Sequence, residues 1–168
     1  MTETPQDFDL DAWLDDAERP ARSVTVYQKA GLIADLDALE DQIKNADDDE
    51  VDGPSTGGGA GKLRAKYADL ARKFHQSALT IRVEGRNENE RTTVAAGIAD
   101  PTLRGAAVLA DAIQSPRFTP EQVQKLAAKI GDAQFGLIVT RFNEASEEIP
   151  AVSADFLPKR STPGDGGE

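Results

Sequence analysis

The chain has 168 residues, no cysteine, one histidine and a net charge of −11, which allows one modest core and excludes a disulfide framework, a thiolate metal site and a thiol nucleophile. The whole imbalance lies in residues 1–20, with seven acids against Arg19, and in residues 45–61, with five acids against none, leaving 18 acids and 18 bases elsewhere. Polyanion binding begins with clustered Lys and Arg, so this distribution argues against nucleic acid and membrane surfaces and points toward protein partners.

Residues 1–20 read as an acidic, flexible segment. They lack the basic start and apolar run of a signal peptide, and no apolar stretch of the chain approaches a membrane span. Within them Phe8, Leu10, Trp13 and Leu14 stand in an acidic field, the pattern of an amphipathic turn that docks on a groove. Whether that groove belongs to a partner or to this protein's own body is open at the level of sequence. A single α-rich domain is expected over residues 21–148.

Arg22 to Tyr27 alternates Val24 and Val26 with polar residues, the period-two signature of a short half-buried strand. A helix follows over 28–45 with the stripe Leu32, Leu36, Leu39 and Ile43. After an acidic, Gly-rich loop at 45–61, residues 62–76 repeat the spacing with Leu63, Tyr67, Leu70 and Phe74. Two matched stripes predict an antiparallel helical hairpin over 28–76. Opposite charge supports the pairing, with Asp35, Asp37, Glu40 and Asp41 on one helix and Lys62, Arg64, Lys66, Arg72 and Lys73 on the other. Residues 78–85 alternate Leu79, Ile81 and Val83, a second strand that returns beside the first. The fold class is therefore α+β and mainly α: a two-stranded antiparallel sheet at the base of a helical hairpin, followed by a C-terminal helical cluster.

In that cluster, helices are expected over 87–98 and from Asp100, the latter with Pro101 in its first turn and Leu103, Ala106, Ala107, Ala110 and Ile113 inward. Thr119-Pro120-Glu121-Gln122 carries an N-cap hydroxyl, a proline at the first helical position and a Gln placed for a capping box. The next helix begins after Gly131 as a left-handed C-cap, with Asp132 as its own cap and Phe135, Ile138, Val139 and Phe142 on its apolar face. Of these, Phe135, Ile138 and Phe142 form the candidate groove for a partner, although such stripes more often form core. Residues 149–168, with three prolines and a Gly-rich end, are expected to be disordered.

Three segments imitate chemical sites. Gly57 to Lys62 suggests a phosphate loop, but Thr56 and Leu63 stand where that motif needs Gly and Ser or Thr, so a hairpin tip is favoured. Asp48 to Gly53 resembles the start of a calcium loop, yet Gly59 occupies the position of the closing bidentate Glu. His75 has no second ligand or orienting carboxylate spaced around it. No paired acid and base stands out, and an enzyme, a cofactor or a bound metal is not expected.

The segments "ERPARSVTVYQKAGLIADLDALEDQI", "LTIRVEG" and "FTPEQVQKLAAKIGDAQFGLIVTRFNEASEEIPAVSADFLPKRS", taken in order, resemble the tail assembly chaperones of long-tailed bacteriophages that infect actinobacteria. The resemblance spans about residues 18–160 and is one of architecture and degenerate phrases, with no counterpart for the loop at 45–61. It implies binding to the long helical tape measure protein before the tail tube polymerises around it, with the tail tube protein as a further partner. It also implies action in the host cytoplasm, absence from the finished virion, and commonly a longer product made by ribosomal frameshifting. Oligomerisation is left open. The alternatives are a structural virion component, such as a tail or head-tail connector protein, and more remotely a small nucleotide-binding regulator.

Overall fold

The computed structural model describes residues 8–51 and 59–152. In chain order these form α1 (Leu10–Asp15), β1 (Ala21–Tyr27), α2 (Leu32–Val51), α3 (Gly59–Gln76), β2 (Ala78–Glu84), α4 (Glu88–Ala95), α5 (Pro101–Ala112), β3 (Ile113–Ser115), α6 (Pro120–Ile130) and α7 (Asp132–Glu147). The class is α+β and mainly α, as the periodicity predicts. The sheet, however, has three antiparallel strands in the order β1-β2-β3 rather than two.

β1 and β2 pair from Ala21↔Glu84 to Tyr27↔Ala78. Their alternation sorts the sheet into two faces. Val24, Val26, Ile81 and Val83 are buried on one, while Ser23, Thr25, Thr80 and Arg82 face solvent on the other. One buried face and one wet face is the usual economy of an antiparallel sheet. Ile113 continues the buried face from β3, where it pairs with Val83 across a register shift. The helix from Pro101 thus stops at Ala112, one residue before the Ile113 that its stripe would include. Ile113 is almost fully buried in the strand, so sheet pairing and burial together outweigh one further residue of helix.

The hairpin is longer than its stripes predict. α2 runs on to Val51 and α3 starts at Gly59, so both helices enter the acidic and Gly-rich stretch expected to be loop. Tertiary contact supplies the reason: Ala60 is buried in the hairpin, and Arg64 pairs with Asp47 across it. Tyr67 Oη donates to Glu40 at 2.8 Å, which holds the phenol above its ordinary pKa. Arg72 and Lys73 instead pair with Asp69 of their own helix. Charge complementarity between the helices is therefore realised at a single ion pair among the described residues.

The start of α2 is later than expected: residues 28–31 form turns, Leu32 N–H bonds to Lys29 O, and the backbone N–H groups of Gln28 and Lys29 bond to Ser77. Tyr27 stacks on Phe74 with centroids 4.2 Å apart, and the His75 ring meets both edge-on. This aromatic cluster joins hairpin to sheet and gives His75 a packing role.

α5, α6 and α7 cover the buried face of the sheet. Val24, Val26, Ile81, Val83, Leu109, Ile113, Val123, Ile138 and Phe142 share one core cluster. α6 begins as its sequence predicts: Thr119 Oγ1 accepts from Gln122 N–H and Gln122 Oε1 accepts from Thr119 N–H. Gly131 closes α6 at a positive φ of 81° with an extended ψ of 163°. It also serves as the N-cap of α7, so Asp132 is the first helical residue and no side chain caps that helix. With only one residue between the two helices, α7 starts before Asp132 has room to act as a cap.

Candidate functional site

A concave groove of about 900 Å³ opens between α4, α5 and α7. Specific polar bonds fix the ends of α4 and α5. The N-cap Asn87 and Glu90 form a reciprocal capping box that starts α4. Asp100 caps α5 by accepting from Thr102 N–H at 2.9 Å, and Arg104 reaches back to donate to the carbonyl of Ile98 at 2.9 Å. These bonds fix the turn between α4 and α5 and satisfy backbone groups that helix ends leave unpaired.

Arg86 locks the other end. Its guanidinium, with only 9% of the side chain exposed, donates to Asp111 Oδ2, to Asp111 O and to Glu84 Oε1, each at 2.7 Å. Its carbonyl accepts from Arg91 Nε at 3.1 Å. One residue therefore ties the end of β2 to the end of α5 through its guanidinium and to the middle of α4 through its carbonyl. Burial disfavours the charged guanidinium, but the bonds from Asp111 and Glu84 outweigh that penalty and hold its pKa above the ordinary value. Nothing in the sequence marks this residue, since its partners lie 2 and 25 positions away.

The groove itself is apolar and small-walled. Ala95 of α4 and Gly105, Ala106 and Leu109 of α5 line one side, while Phe135, Val139 and Phe142 of α7 line the other. Arg91 lies over the Phe142 ring, 4.9 Å from its centroid, a cation–π contact that covers the ring without closing the groove. The lining carries two bases, Arg91 and Arg104, and one acid, Glu88. Among the described residues the nearest carboxylate to Arg91 is Glu147 at 3.9 Å, and Arg104 pairs with none.

The three α7 residues singled out from sequence separate here. Phe135 and Phe142 line the groove, the first half-buried and the second mostly covered. Ile138 is fully buried in the core and does not line it. Val139, assigned to the inward face, is 36% exposed and lines the groove. A four-residue apolar face is wider than the surface α5 and the sheet offer to α7, so one of its members is left outside.

The N-terminal apolar residues lie elsewhere. Asp9 caps α1 by accepting from Ala12 N–H, and none of the six helical residues is buried. Phe8, Leu10, Trp13 and Leu14 remain 49%, 55%, 58% and 53% exposed. The chain then re-enters the body at two points, where Arg19 pairs with Glu90 and Pro20 O accepts from Gly85 N–H.

A smaller groove of about 560 Å³ lies between the hairpin base and α6, bounded by Leu79, Phe118, Leu126 and two lysines, Lys125 and Lys129. Among the described residues no group of three or more His, Cys, Asp or Glu is placed to hold a metal, and no helix is long and apolar enough to cross a membrane. The phosphate-loop imitation resolves into the first turn of α3 from Gly59 onward, and the remainder of it, with the rest of the acidic loop, lies outside the described residues. The tail beyond Val152 lies outside them too. Compared with protein-family models, curated proteins and solved structures, the chain matches none.

Proposed function

We propose that this chain is a client-binding chaperone that holds an amphipathic helix of a long helical protein, in the manner of the phage tail assembly chaperones whose phrases it resembles. The observation that carries the reading is the open apolar groove between α4, α5 and α7, with Phe135, Val139 and Phe142 along one wall and small residues along the other. A helix laid against small residues approaches closely, and its large apolar side chains meet the aromatic wall; this is helix-in-groove recognition. Such binding uses no nucleotide and no covalent step, so release needs only a competing partner, here the polymerising tail tube.

Co-expression with the long helical protein encoded nearby tests the reading. A soluble complex is expected, and Val139→Asp, which puts an unpaired carboxylate into the groove at an exposed position, is expected to lose it. An insoluble client beside an unbound 168-residue chain, with stoichiometric peptides of the chain in purified particles, would overturn it in favour of a structural virion component.

A further inference from the structure

The same groove fits a ligand that the protein itself carries. We infer that α1 of one copy docks into the α4/α5/α7 groove of a second copy, so that the chain self-associates head to tail. α1 is a formed, capped helix whose three large apolar side chains, with Phe8 just before its cap, are about half exposed. Apart from Ala12, the other residues of the helix and both its caps are acidic, with Asp9, Asp11, Asp15 and Asp16 beside Phe8, Leu10, Trp13 and Leu14. The groove offers the complement, an apolar floor with Arg91 and Arg104 on its lining and Glu88 as the only acid. Opposite charge at a rim steers encounter and fixes orientation, while a buried Trp supplies most of the affinity.

Occupation by the chain's own α1 is opposed by the tether. Arg19 is tied to Glu90, whereas Glu88, Arg91, Thr92 and Ala95 are the α4 residues that face the groove. At about 100° per residue Glu90 lies roughly 150° around α4 from the middle of that face. The 150° arc around a helix about 10 Å across is about 13 Å, and the four residues Asp16 to Arg19 span about 14 Å only at full extension, which would break the turn in which Ala17 N–H bonds to Leu14 O. A second copy meets no such limit. The contact joins two different surfaces, so it propagates into a ring or an open chain unless a client or a terminus interrupts it.

The inference stands whether or not a client uses the groove, because it is scored on the purified full-length chain alone. Sedimentation velocity across a wide concentration range is expected to show self-association that weakens as salt rises. Trp13→Ala is expected to weaken it about 30-fold or more, the loss typical of a hot-spot tryptophan, and Val139→Asp comparably, both with unchanged helical circular dichroism. The decisive arm mixes these two variants, each defective on one surface. One intact α1 and one intact groove remain, so dimers form and nothing larger. A wild-type chain that stays monomeric throughout overturns the inference. A mixture that behaves like either variant alone does so too, since it would place association on another surface. Asp15→Lys, at an exposed position, reverses one of the steering charges and is expected to weaken association at low salt, with the difference from wild type fading as salt rises; a difference that persists at high salt would count against charge complementarity.

Discussion

Ile138 and Val139 are neighbours on α7 with opposite expected consequences, and substituting each with Ala separates core from contact. Ile138 has no exposed surface. Ile138→Ala removes three buried carbons at about 0.8 kcal/mol each, a transfer loss of about 2.4 kcal/mol. The cavity adds about 24 cal/mol for every Å³ the neighbours fail to fill. Val24, Val26, Ile81 and Ile113 belong to the same cluster and are held in a sheet, so relaxation is small and the total reaches about 3–4 kcal/mol. Val139 is already 36% exposed, and Val139→Ala is expected to cost less than about 1 kcal/mol. Urea unfolding followed by circular dichroism measures both, with an unchanged m-value as the sign that the same surface unfolds. In heat the Ile138 variant should melt about 10 °C lower, at about 3 °C for each kcal/mol in a domain of this size. A cost below about 1 kcal/mol for Ile138→Ala would refute its placement in the core. It would return the residue to the set of candidate contacts.

Gly85→Ala probes the seam between β2 and α7. An added Cβ would stand 2.2 Å from Ala145 O and 2.8 Å from Ala145 C; because these are backbone atoms, a loss of about 2–3 kcal/mol is expected. Gly136→Ala, whose Cβ meets nothing within 4 Å, should instead stabilise α7 by about 0.5–1 kcal/mol; equal effects in chemical denaturation would contradict the packing described. Glu90 is held below the usual carboxylate range first by the Asn87 backbone N–H and then by Arg19. Its contribution is therefore complete above the unfolded pKa and disappears as pH falls through the native one. Glu90→Gln keeps the capping geometry without the titration, so the stability gap between wild type and variant should shrink as the solution is acidified. A gap that holds or widens would count against the assignment.

β1, β2 and the hairpin are legible because each buries one face in a regular period, and the start of α6 is legible because capping chemistry is local. β3 is not. Its three residues are too few for a period, and Ile113 fits the helical stripe of α5 as well as it fits the sheet. Only the partner strand decides between them. The ends of α2 and α3 escape sequence reading for a similar reason, since Ala60 and the Arg64–Asp47 pair stabilise helix only once the two helices are adjacent. On α7 the apolar face names the correct surface, while the division of that surface into core and groove depends on how far α4 and α5 stand from it. Ile138 and Val139 fall on different sides of that division although their side chains are chemically alike.

Arg86 shows why the groove is harder still to read. Its neighbours in sequence, "VEGRNENE", look like a solvated turn, and a lone Arg there would ordinarily be assigned to the surface. Folded, it reaches Asp111 at the far end of α5 with its guanidinium and receives Arg91 of α4 on its own carbonyl, so two of the three walls meet at one residue. A Lys could supply the charge but not the planar fork that bonds Asp111 and Glu84 together. Walls held in this way are already in place before an occupant arrives, which lowers the ordering cost of binding. The cost then falls mainly on the incoming helix, and a helix that is already capped and apolar on one side, as α1 is, starts with much of that cost met. Preformed groove and preformed helix in the same chain thus lower the ordering cost of the contact proposed between copies.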